Sequence, residues 1–287
     1  MNNIKLKKEL KNKTILITGG SGSVGSNLVK KLLKYPIKSI RVLDTDEHSM
    51  FKLKHSLNNK KIRFLLGSIL DKERLELAGD GVDFIIHAAA LKNIEITEYN
   101  PIETIDVNTN GLVNLIKMAM KNKPKRFLNI STDKSVKPTT VYGTTKLLSE
   151  KLISWAGINL QPTKFGTVRL GNIIESRGNV FEIWEKEEKE NKPLSITDPL
   201  MKRYFMHIDD ASNFILESLF MINTGEIIIP KMKEFEIKEL ALKISSKHKI
   251  VGIRGKEKLE EILLTDDEKS KAHETKNMWI IKPYQIN

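Results

Sequence analysis

A glycine-rich turn near the N-terminus restricts the fold more than any other stretch of the chain. The apolar run "TILITGG" (14–20) reads as a strand, and "GGSGSVG" opens a segment with helical spacing directly after it. Three glycines there have the spacing G-x-x-G-x-x-G, in the strand–turn–helix context that a pyrophosphate-binding loop requires. A glycine turn without a ligand is the alternative. We predict that a dinucleotide is bound by Gly19, Gly22, Ser23, Val24 and Gly25.

An acidic residue at the end of the second strand bears on which dinucleotide is bound. "SIRVLD" ends at Asp44, nineteen residues after Gly25. A carboxylate there accepts hydrogen bonds from an adenosine ribose and repels a 2′-phosphate, so Asp44 favours NAD over NADP. A helix N-cap formed by Asp44 or Asp46 is the alternative. After the third strand, Ser68 and Ile69 are predicted to border the adenine.

The first half of the chain alternates apolar runs with helical patterns. Such alternation predicts a Rossmann-type, doubly wound parallel sheet in an α/β fold. The predicted strands span residues 14–20, 39–44, 62–67, 82–90, 126–132 and 164–170, and the predicted helices span roughly 23–35, 46–57, 72–78 and 99–121. Shorter elements follow: a helix around 178–191, "DDASNFILESLF" (209–220), "GEIIIP" (225–230), a helix near 236–247 and a final strand-like "MWIIKP". We predict a dinucleotide-binding domain over 1–171, rejoined by parts of 204–230, and a smaller mixed α/β substrate lobe over 172–287.

The composition of the chain argues against several classes of protein. The net charge is +12, but the lysines are dispersed along the chain without aromatic interleaving, so we predict no nucleic-acid partner. No apolar run approaches the length of a membrane span, and no apolar segment follows the basic start, so we predict neither a membrane helix nor a signal peptide. The absence of cysteine agrees with a cytoplasmic location. We predict no metal site.

The stretch "STDKSVKPTTVYGTTK" carries the candidate catalytic residues. Tyr142 and Lys146 lie four residues apart, on one face of a predicted helix. Tyr142 as a general base needs a phenol pKa below its usual value of about 10, and the charge of Lys146 is expected to lower it, assisted by an oxidised nicotinamide. Thr132 is placed to orient a reacting hydroxyl. A purely structural Tyr142 is the alternative.

Longer stretches extend the comparison over nearly the whole chain. They are "TGGSGSVG", "HAAALKNIEITEYNP", "STDKSVKPTTVYGTTK", "VRLGNIIESRGNV", "ITDPLMKRYF", "GEIIIPKM" and "GIRGKEKLEE". In these stretches the chain resembles the extended short-chain dehydrogenase/reductase superfamily, and within it the inverting UDP-N-acetylglucosamine 4,6-dehydratases of the pseudaminic-acid type and the related polysaccharide-biosynthesis proteins. The discriminating match is Thr-Asp-Lys, because related retaining dehydratases carry Thr-Asp-Glu at that place.

The resemblance implies a role for the acid and the second amine in this stretch. Tyr142 would take the proton of the sugar 4-hydroxyl while hydride leaves C4. Lys134 would then remove the C5 proton, and Asp133 would protonate the departing 6-hydroxyl. Hydride return to C6 and protonation of C5 from the opposite face would invert C5. A surface ion pair between Asp133 and Lys134 is the alternative.

The resemblance also implies which residues hold the two ligands. Ala88, Ala89, Lys92 and Asn108 would border the cofactor, Lys92 also the sugar, whereas His87 is expected to be structural. The UDP-sugar, UDP-N-acetylglucosamine, would be bound by Lys92, Arg169, Asn172, Ser176, Arg177, Arg203, Arg254 and Glu257. Close relatives carry a Ser-Arg pair after the second strand and use NADP, whereas this chain has Asp44-Thr45. The cofactor is therefore expected to be NAD or NADP, and a homo-oligomer is expected.

Two other functions stay open at this point. A nucleotide-sugar 4-epimerase or 5-epimerase would share the redox residues but lack net dehydration. A non-catalytic NAD(P)-sensing regulator is a different class, and such proteins often lose the catalytic tyrosine that this chain retains at Tyr142.

Overall fold

A nine-stranded sheet forms the centre of the protein, which we describe from a computed structural model covering residues 3–253 and 256–283. The strands of the described ranges are β1 (Thr14–Thr18), β2 (Ser39–Asp44), β3 (Ile62–Leu66), β4 (Phe84–His87), β5 (Arg126–Thr132), β6 (Lys164–Leu170), β7 (Asn172–Ile174), β8 (Leu194–Ile196), β9 (Lys202–His207), β10 (Glu226–Pro230), β11 (Lys233–Glu236), β12 (His248–Ile250), β13 (His273–Glu274) and β14 (Met278–Ile281). The central order is β13-β14-β10-β6-β5-β4-β1-β2-β3, parallel from β10 to β3 and antiparallel at β14 and β13.

Helices cover both faces of this sheet. They are α1 (Asn3–Leu10), α2 (Ser23–Leu32), α3 (Glu47–Leu57), α4 (Lys72–Gly79), α5 (Ile94–Tyr99), α6 (Pro101–Ile105), α7 (Gly111–Asn122), α8 (Val141–Asn159), α9 (Val180–Lys189), α10 (Ile208–Leu219), α11 (Ile237–Leu242) and α12 (Asp266–Lys271). Within the described ranges, no helix combines the length and the apolar character needed to cross a bilayer.

The β1 side chains show why the strands are continuously apolar. All five residues of β1 are buried: Ile15 and Ile17 pack on one face with α2 and α10, and Leu16 packs on the other with α4, α7 and α8. A strand covered on both faces needs apolar side chains at successive positions. The predicted α/β fold with a doubly wound parallel sheet is therefore confirmed.

The predicted helix over 99–121 is interrupted, and that prediction was wrong in detail. Pro101 begins α6 at its first position, because proline lacks the N–H that a preceding helical turn would require. A π-helical turn, Asp106–Asn110, then separates α6 from α7. This turn buries Asn108, whose amide bonds both backbone groups of Leu91 at 2.8 and 2.9 Å. The irregular turn thus fixes the segment that carries Lys92.

The C-terminal part contributes to two places in the structure. A smaller core surrounds Trp184, beside the sheets β11-β9-β7 and β12-β8. The strands β10, β13 and β14 instead extend the central sheet, and α10 packs against α2. The predicted helix over 236–247 is shorter, ending at Leu242.

Candidate active site

The glycine loop packs so closely that side chains are excluded from it. Gly19 has a φ of +64°, and a Cβ there would lie 2.7 Å from the backbone of Ala89. A Cβ on Gly25 would lie 2.3 Å from the Gly19 carbonyl oxygen. Ala88 N–H donates to the Thr18 carbonyl, so the end of β4 is held beside the loop. The strand ends and the loop therefore meet at one edge of the sheet.

The N-terminus of α2 faces this edge. Gly22 is its N-cap and makes no side-chain cap hydrogen bond, and Ser23 and Val24 form the first turn. The first N–H groups of a ten-residue helix thus point at the loop without a capping side chain. Because the loop excludes side chains and the helix end favours negative charge, these residues fit the pyrophosphate of a dinucleotide.

Asp44 ends β2 beside this loop. Its Oδ2 accepts hydrogen bonds from the Ser21 N–H (2.9 Å) and hydroxyl (2.6 Å), and its Oδ1 accepts from the Asp46 N–H (3.2 Å). Asp46, and not Asp44, is the N-cap of α3. Hydrogen bonds from Ser49 lower the pKa of Asp46 to about 2, with the larger contribution from its hydroxyl and a smaller one from its N–H. Asp44 therefore supports the loop and stays half-buried.

The two residues expected near the adenine, Ser68 and Ile69, differ in how far their side chains are buried. Ser68 is half-buried, and its hydroxyl accepts from the Leu70 N–H. The Ile69 side chain is 5% exposed and packs in the core, where a Cβ on Gly111 would come within 2.5 Å of it. The structure therefore leaves only the backbone of Ile69 as a possible contact for a ligand.

The candidate catalytic residues come together at the end of β5. Thr132 ends the strand, a 3-10 turn Asp133–Ser135 follows, and Tyr142 lies in the first turn of α8. Thr132 Oγ1 donates to Asp133 Oδ1 at 2.9 Å and also hydrogen-bonds Tyr142. Lys134 Nζ donates to Asp133 Oδ1 at 3.1 Å. One strand end thus joins the hydroxyl, the acid, the amine and the phenol.

Asp133 is fully buried, which excludes a surface ion pair with Lys134. Its Oδ1 accepts hydrogen bonds from both Thr132 and Lys134. Its Oδ2 is buried without a hydrogen-bond partner among the described residues. Lys134 also donates to Asn172 Oδ1 at 3.3 Å and lies 3.9 Å from Glu261. A buried carboxylate oxygen without a partner is costly in free energy, so a ligand hydroxyl or a proton is its natural partner.

The pKa of Tyr142 moves opposite to the expected direction. Desolvation of the hydroxyl raises this pKa, the negative charge of Asp133 adds to the rise, and the hydrogen bond with Thr132 opposes it. Lys146 does not bond the phenol but donates to the Ile130 carbonyl. Burial lowers the pKa of Lys146 to about 8, against the opposing charge of Glu150. In the protein alone, the phenol is therefore protonated at neutral pH.

A buried network that the sequence reasoning missed supports this cluster. Ser135 Oγ donates to the Thr132 carbonyl (2.7 Å) and to Glu150 Oε1 (2.8 Å). Arg169 donates to both oxygens of Glu150, to both oxygens of Glu268 and to the Leu263 carbonyl. In the sequence, this network could have been suspected only from the position of Glu150, one helical turn after Lys146 on the same helix face. Arg169 is 1% exposed and all of these partners belong to the protein itself. It therefore has no surface with which to bind a sugar nucleotide, in contrast to the prediction.

The other residues expected to hold substrate divide between the cleft and the interior. Asn172 contacts Lys134, and Glu257 lines a small cleft with Lys134. Arg203 is 7% exposed and donates to the carbonyls of Lys202, Lys258 and Leu259, so it holds that segment. Ser176 bonds the Ile173 carbonyl. Arg254 lies outside the described residues.

Lys92 and Arg177 come together beside the glycine loop. Lys92 Nζ donates to the Arg177 carbonyl at 3.0 Å. Partial burial of the amine lowers the pKa of Lys92, and the charges of Arg177 and Lys134 lower it further. His87 behaves as expected of a structural residue: it is buried and bonds the Thr18 hydroxyl at 2.7 Å.

Comparison with known proteins identifies the family. The sequence matches the family described as polysaccharide biosynthesis protein over residues 15–283. A UDP-N-acetylglucosamine 4,6-dehydratase (inverting) of Campylobacter jejuni is 40% identical over 277 residues, 94% of this chain and 83% of that protein. An uncharacterized membrane protein of Methanocaldococcus jannaschii is 41% identical over 292 residues, 96% and 88%. A UDP-glucose 4-epimerase of Rickettsia bellii is 36% identical over 281 residues, 94% and 82%.

Solved structures give the same answer for the fold. The structure of Pen from Bacillus thuringiensis has a TM-score of 0.90 and 33% identity, over 95% of this chain and 89% of that one. A dTDP-glucose 4,6-dehydratase from Streptomyces venezuelae, solved with NAD bound, has a TM-score of 0.80 over 90% of both chains at 21% identity, which shows the shared fold alone. The chain has the fold of the extended short-chain dehydrogenases/reductases and belongs to the polysaccharide biosynthesis protein family.

Proposed function

We propose that the chain is a nucleotide-sugar 4,6-dehydratase, a hydro-lyase that converts UDP-N-acetylglucosamine to a UDP-2-acetamido-2,6-dideoxy-4-keto-hexose with inversion at C5. The observation that carries the proposal is the Asp133–Lys134 pair, with Lys134 Nζ 3.1 Å from a buried carboxylate beside Tyr142. The similarity to the Campylobacter dehydratase supports the same reading.

The redox half of the reaction belongs to Thr132, Tyr142 and Lys146. Tyr142 accepts the proton of the sugar 4-hydroxyl, and the neighbouring Thr132 hydroxyl orients that group. A nicotinamide bound beside them would supply the acceptor and later the donor of the hydride, and in its oxidised form the positive charge that ionisation of a phenol with a raised pKa requires. Lys146 places a buried amine one helical turn after Tyr142, as the third residue of this redox group.

The elimination half belongs to Asp133 and Lys134. A ketone at C4 acidifies the C5 proton. Lys134 removes that proton after passing one of its own to Asp133, so that the pair enters this step as a neutral amine and a carboxylic acid. The electron pair left at C5 forms the C5–C6 double bond as the C6–O bond breaks, and Asp133 donates the proton that turns the 6-hydroxyl into water. The buried Oδ2, without a partner in the described residues, is the position for that proton. As hydride returns to C6, a solvent-derived proton adds to C5 on the face opposite Lys134 and inverts that centre, while Lys134 releases its proton to solvent.

We propose that the glycine loop holds the dinucleotide, as NAD or NADP. The loop's exclusion of side chains and the uncapped end of α2 support this assignment. The cofactor side would also include the backbone of Ala88 and Ala89, with Ser68 towards the adenine. Asn108 acts on this side through the Leu91 backbone and Thr145.

We further propose that residues 1–171, rejoined by parts of 204–230, form the dinucleotide-binding domain, and that the rest of 172–287 forms the sugar-nucleotide lobe, except that β13 and β14 pair with the central sheet and not with this lobe. The packing of α10 on α2 and the pairing of β10 with β6 support the rejoining. Asn172, Ser176, Glu257 and Arg254 are the proposed substrate contacts of that lobe. Cytoplasmic location and homo-oligomer formation stay predictions.

Incubation with UDP-N-acetylglucosamine in deuterated water tests the proposal. We expect the nucleotide-sugar product to have lost one water and to carry deuterium at C5, as measured by mass spectrometry and proton NMR. Product that keeps its water, with no deuterium at C5, would contradict the dehydratase assignment.

A nucleotide-sugar epimerase is the second candidate, favoured by the similarity to the Rickettsia protein. The same incubation separates the two functions, because epimerisation at C4 yields a product of unchanged mass. A non-catalytic NAD(P)-sensing regulator would leave UDP-sugars unchanged in both the wild type and Tyr142→Phe.

A further inference from the structure

Arg177 lies over the glycine loop rather than within the sugar-binding lobe. It belongs to the loop 175–179 between β7 and α9, which we call the Arg177 loop. Its backbone N–H donates to the Ser23 hydroxyl at 2.9 Å. Its carbonyl accepts from Lys92 at 3.0 Å. The Arg177 loop therefore closes over the first turn of α2.

The Arg177 guanidinium reaches the start of α3. Nη1 donates to Ser49 Oγ at 2.8 Å and to Asp46 Oδ2 at 3.2 Å, and Nη2 donates to the Ser21 carbonyl at 3.4 Å. Its side chain is 57% exposed, so a ligand from solvent can reach it. The guanidinium is thus a positive charge held in place by short polar side chains, with accessible surface.

Ser21 places this positive charge next to Asp44. The Ser21 N–H and hydroxyl donate to Asp44, while the Ser21 carbonyl accepts from Arg177. In dinucleotide-binding folds, an acid at the end of the second strand bonds the ribose 2′-hydroxyl, and a nearby arginine accommodates a 2′-phosphate. This chain therefore has both signs of charge beside one residue of the loop.

We propose that Arg177 is a cofactor-specificity residue whose guanidinium binds the adenosine 2′-phosphate of NADP and offsets the repulsion from Asp44. The inference rests on the proposed function only in requiring that the glycine loop hold a dinucleotide. It moves Arg177 from the sugar diphosphate to the cofactor. A phosphate offers the planar guanidinium a bidentate partner, so it replaces Asp46 on binding.

Equilibrium titration of the cofactor-free protein with NAD and with NADP, without sugar, tests the inference. Arg177→Gln is expected to weaken NADP binding about tenfold or more, because a hydrogen-bonded charge pair is lost, and to change NAD binding by less than about threefold. Lys52→Gln is the matched control, since Lys52 is an exposed cation on the same helix as Ser49. Equal weakening of NAD and NADP, or unchanged NADP binding, overturns the inference.

Asp46→Asn gives an opposite and independent test. Asparagine can still cap α3, but the guanidinium loses its charged partner. We expect NADP binding to strengthen by about threefold or more while NAD binding stays constant. An unchanged ratio of NADP to NAD affinity overturns the inference and reduces the Arg177 loop to a structural clamp.

The cofactor probes also separate this inference from the proposed reaction. Adenosine 2′,5′-bisphosphate and adenosine 5′-monophosphate differ only in the 2′-phosphate, so Arg177→Gln should weaken the first and spare the second. Wild-type protein that binds neither NAD nor NADP overturns the inference together with the dinucleotide site. Wild-type protein that binds both but does not dehydrate the sugar overturns the proposed reaction alone.

Discussion

Two arginines eight residues apart have opposite surroundings. Arg169 is 1% exposed and lies between Glu150 and Glu268, at 2.8 Å from each. Arg177 is 57% exposed and lies 3.2 Å from Asp46. Breaking a buried ion pair from one side costs about 3 to 5 kcal/mol, whereas an exposed pair contributes about 0 to 1 kcal/mol.

A buried ion pair holds residues in a fixed position, whereas an exposed ion pair can exchange its partner for a ligand. The buried pair connects α8 through Ser135 to the turn at residues 132–135, which we call the catalytic turn, so it holds the proposed catalytic groups in place. The exposed pair binds its partners weakly, so a ligand phosphate can replace a carboxylate there. Interior pairing therefore suits the proposed catalytic residues, and surface pairing suits the proposed contact with a cofactor phosphate.

The largest expected effect is on the catalytic turn. Lys134→Ala should lower product formation by about 10²- to 10⁴-fold, because the base for C5 is lost. Oxidation at C4 should persist, so reduced nicotinamide should accumulate and be visible by its absorbance. Lys137→Gln, which alters an exposed lysine of the following loop, is the control. Simultaneous loss of cofactor reduction would show that Lys134 also serves the redox step.

Next in size is the stability of the buried pair. Glu150→Gln should lower the free energy of unfolding by about 3 to 5 kcal/mol, because Arg169 keeps its charge in the interior with one carboxylate fewer. Urea denaturation measures this quantity. Glu185→Gln on the exposed face of α9 should change it by no more than about 0.5 kcal/mol. Equal effects of the two variants would remove the distinction between interior and surface pairing.

The interior also determines the response to acid. Burial, with a smaller contribution from the Lys146 charge, lowers the pKa of His87 from 6.5 to about 3. Between these values the unfolded chain binds a proton that the folded chain does not, so stability is full above pH 6.5 and falls as the pH approaches 3.

His87→Gln tests that sign. The wild type should lose about 1.4 kcal/mol more per pH unit than the variant between pH 6 and 4, measured by urea denaturation at each pH. His55→Gln, on the exposed face of α3, is the matched substitution. Parallel pH dependences for wild type and His87→Gln would contradict a neutral buried imidazole.

The smallest effect should be found at the exposed pair. A double-mutant cycle with Arg177→Gln and Asp46→Asn should give a coupling in the free energy of unfolding below about 1 kcal/mol in the cofactor-free protein. The same cycle on NADP binding should give a larger coupling. A stability coupling as large as that of Glu150 and Arg169 would mean that Arg177 is a structural residue.

Much of the fold and part of the site followed from local patterns. The strand–glycine–helix turn, the runs that became β2 and β5, and the four-residue spacing of Tyr142 and Lys146 depend on neighbours in the chain. Such features are readable because side-chain periodicity and backbone freedom are properties of short segments. Pro101 could have been read as the start of a new helix, but the π-helical turn after it could not.

The order of the elements and the set of reactive side chains can be read from the amino-acid sequence. It did not determine the partners of those side chains. Folding places Arg169 between two carboxylates and Arg177 over the glycine loop, 156 residues from Ser21 in the chain. It also decided that desolvation and Asp133 raise the pKa of Tyr142. Burial and charge pairing depend on residues far apart in the chain, and no local spacing encodes them.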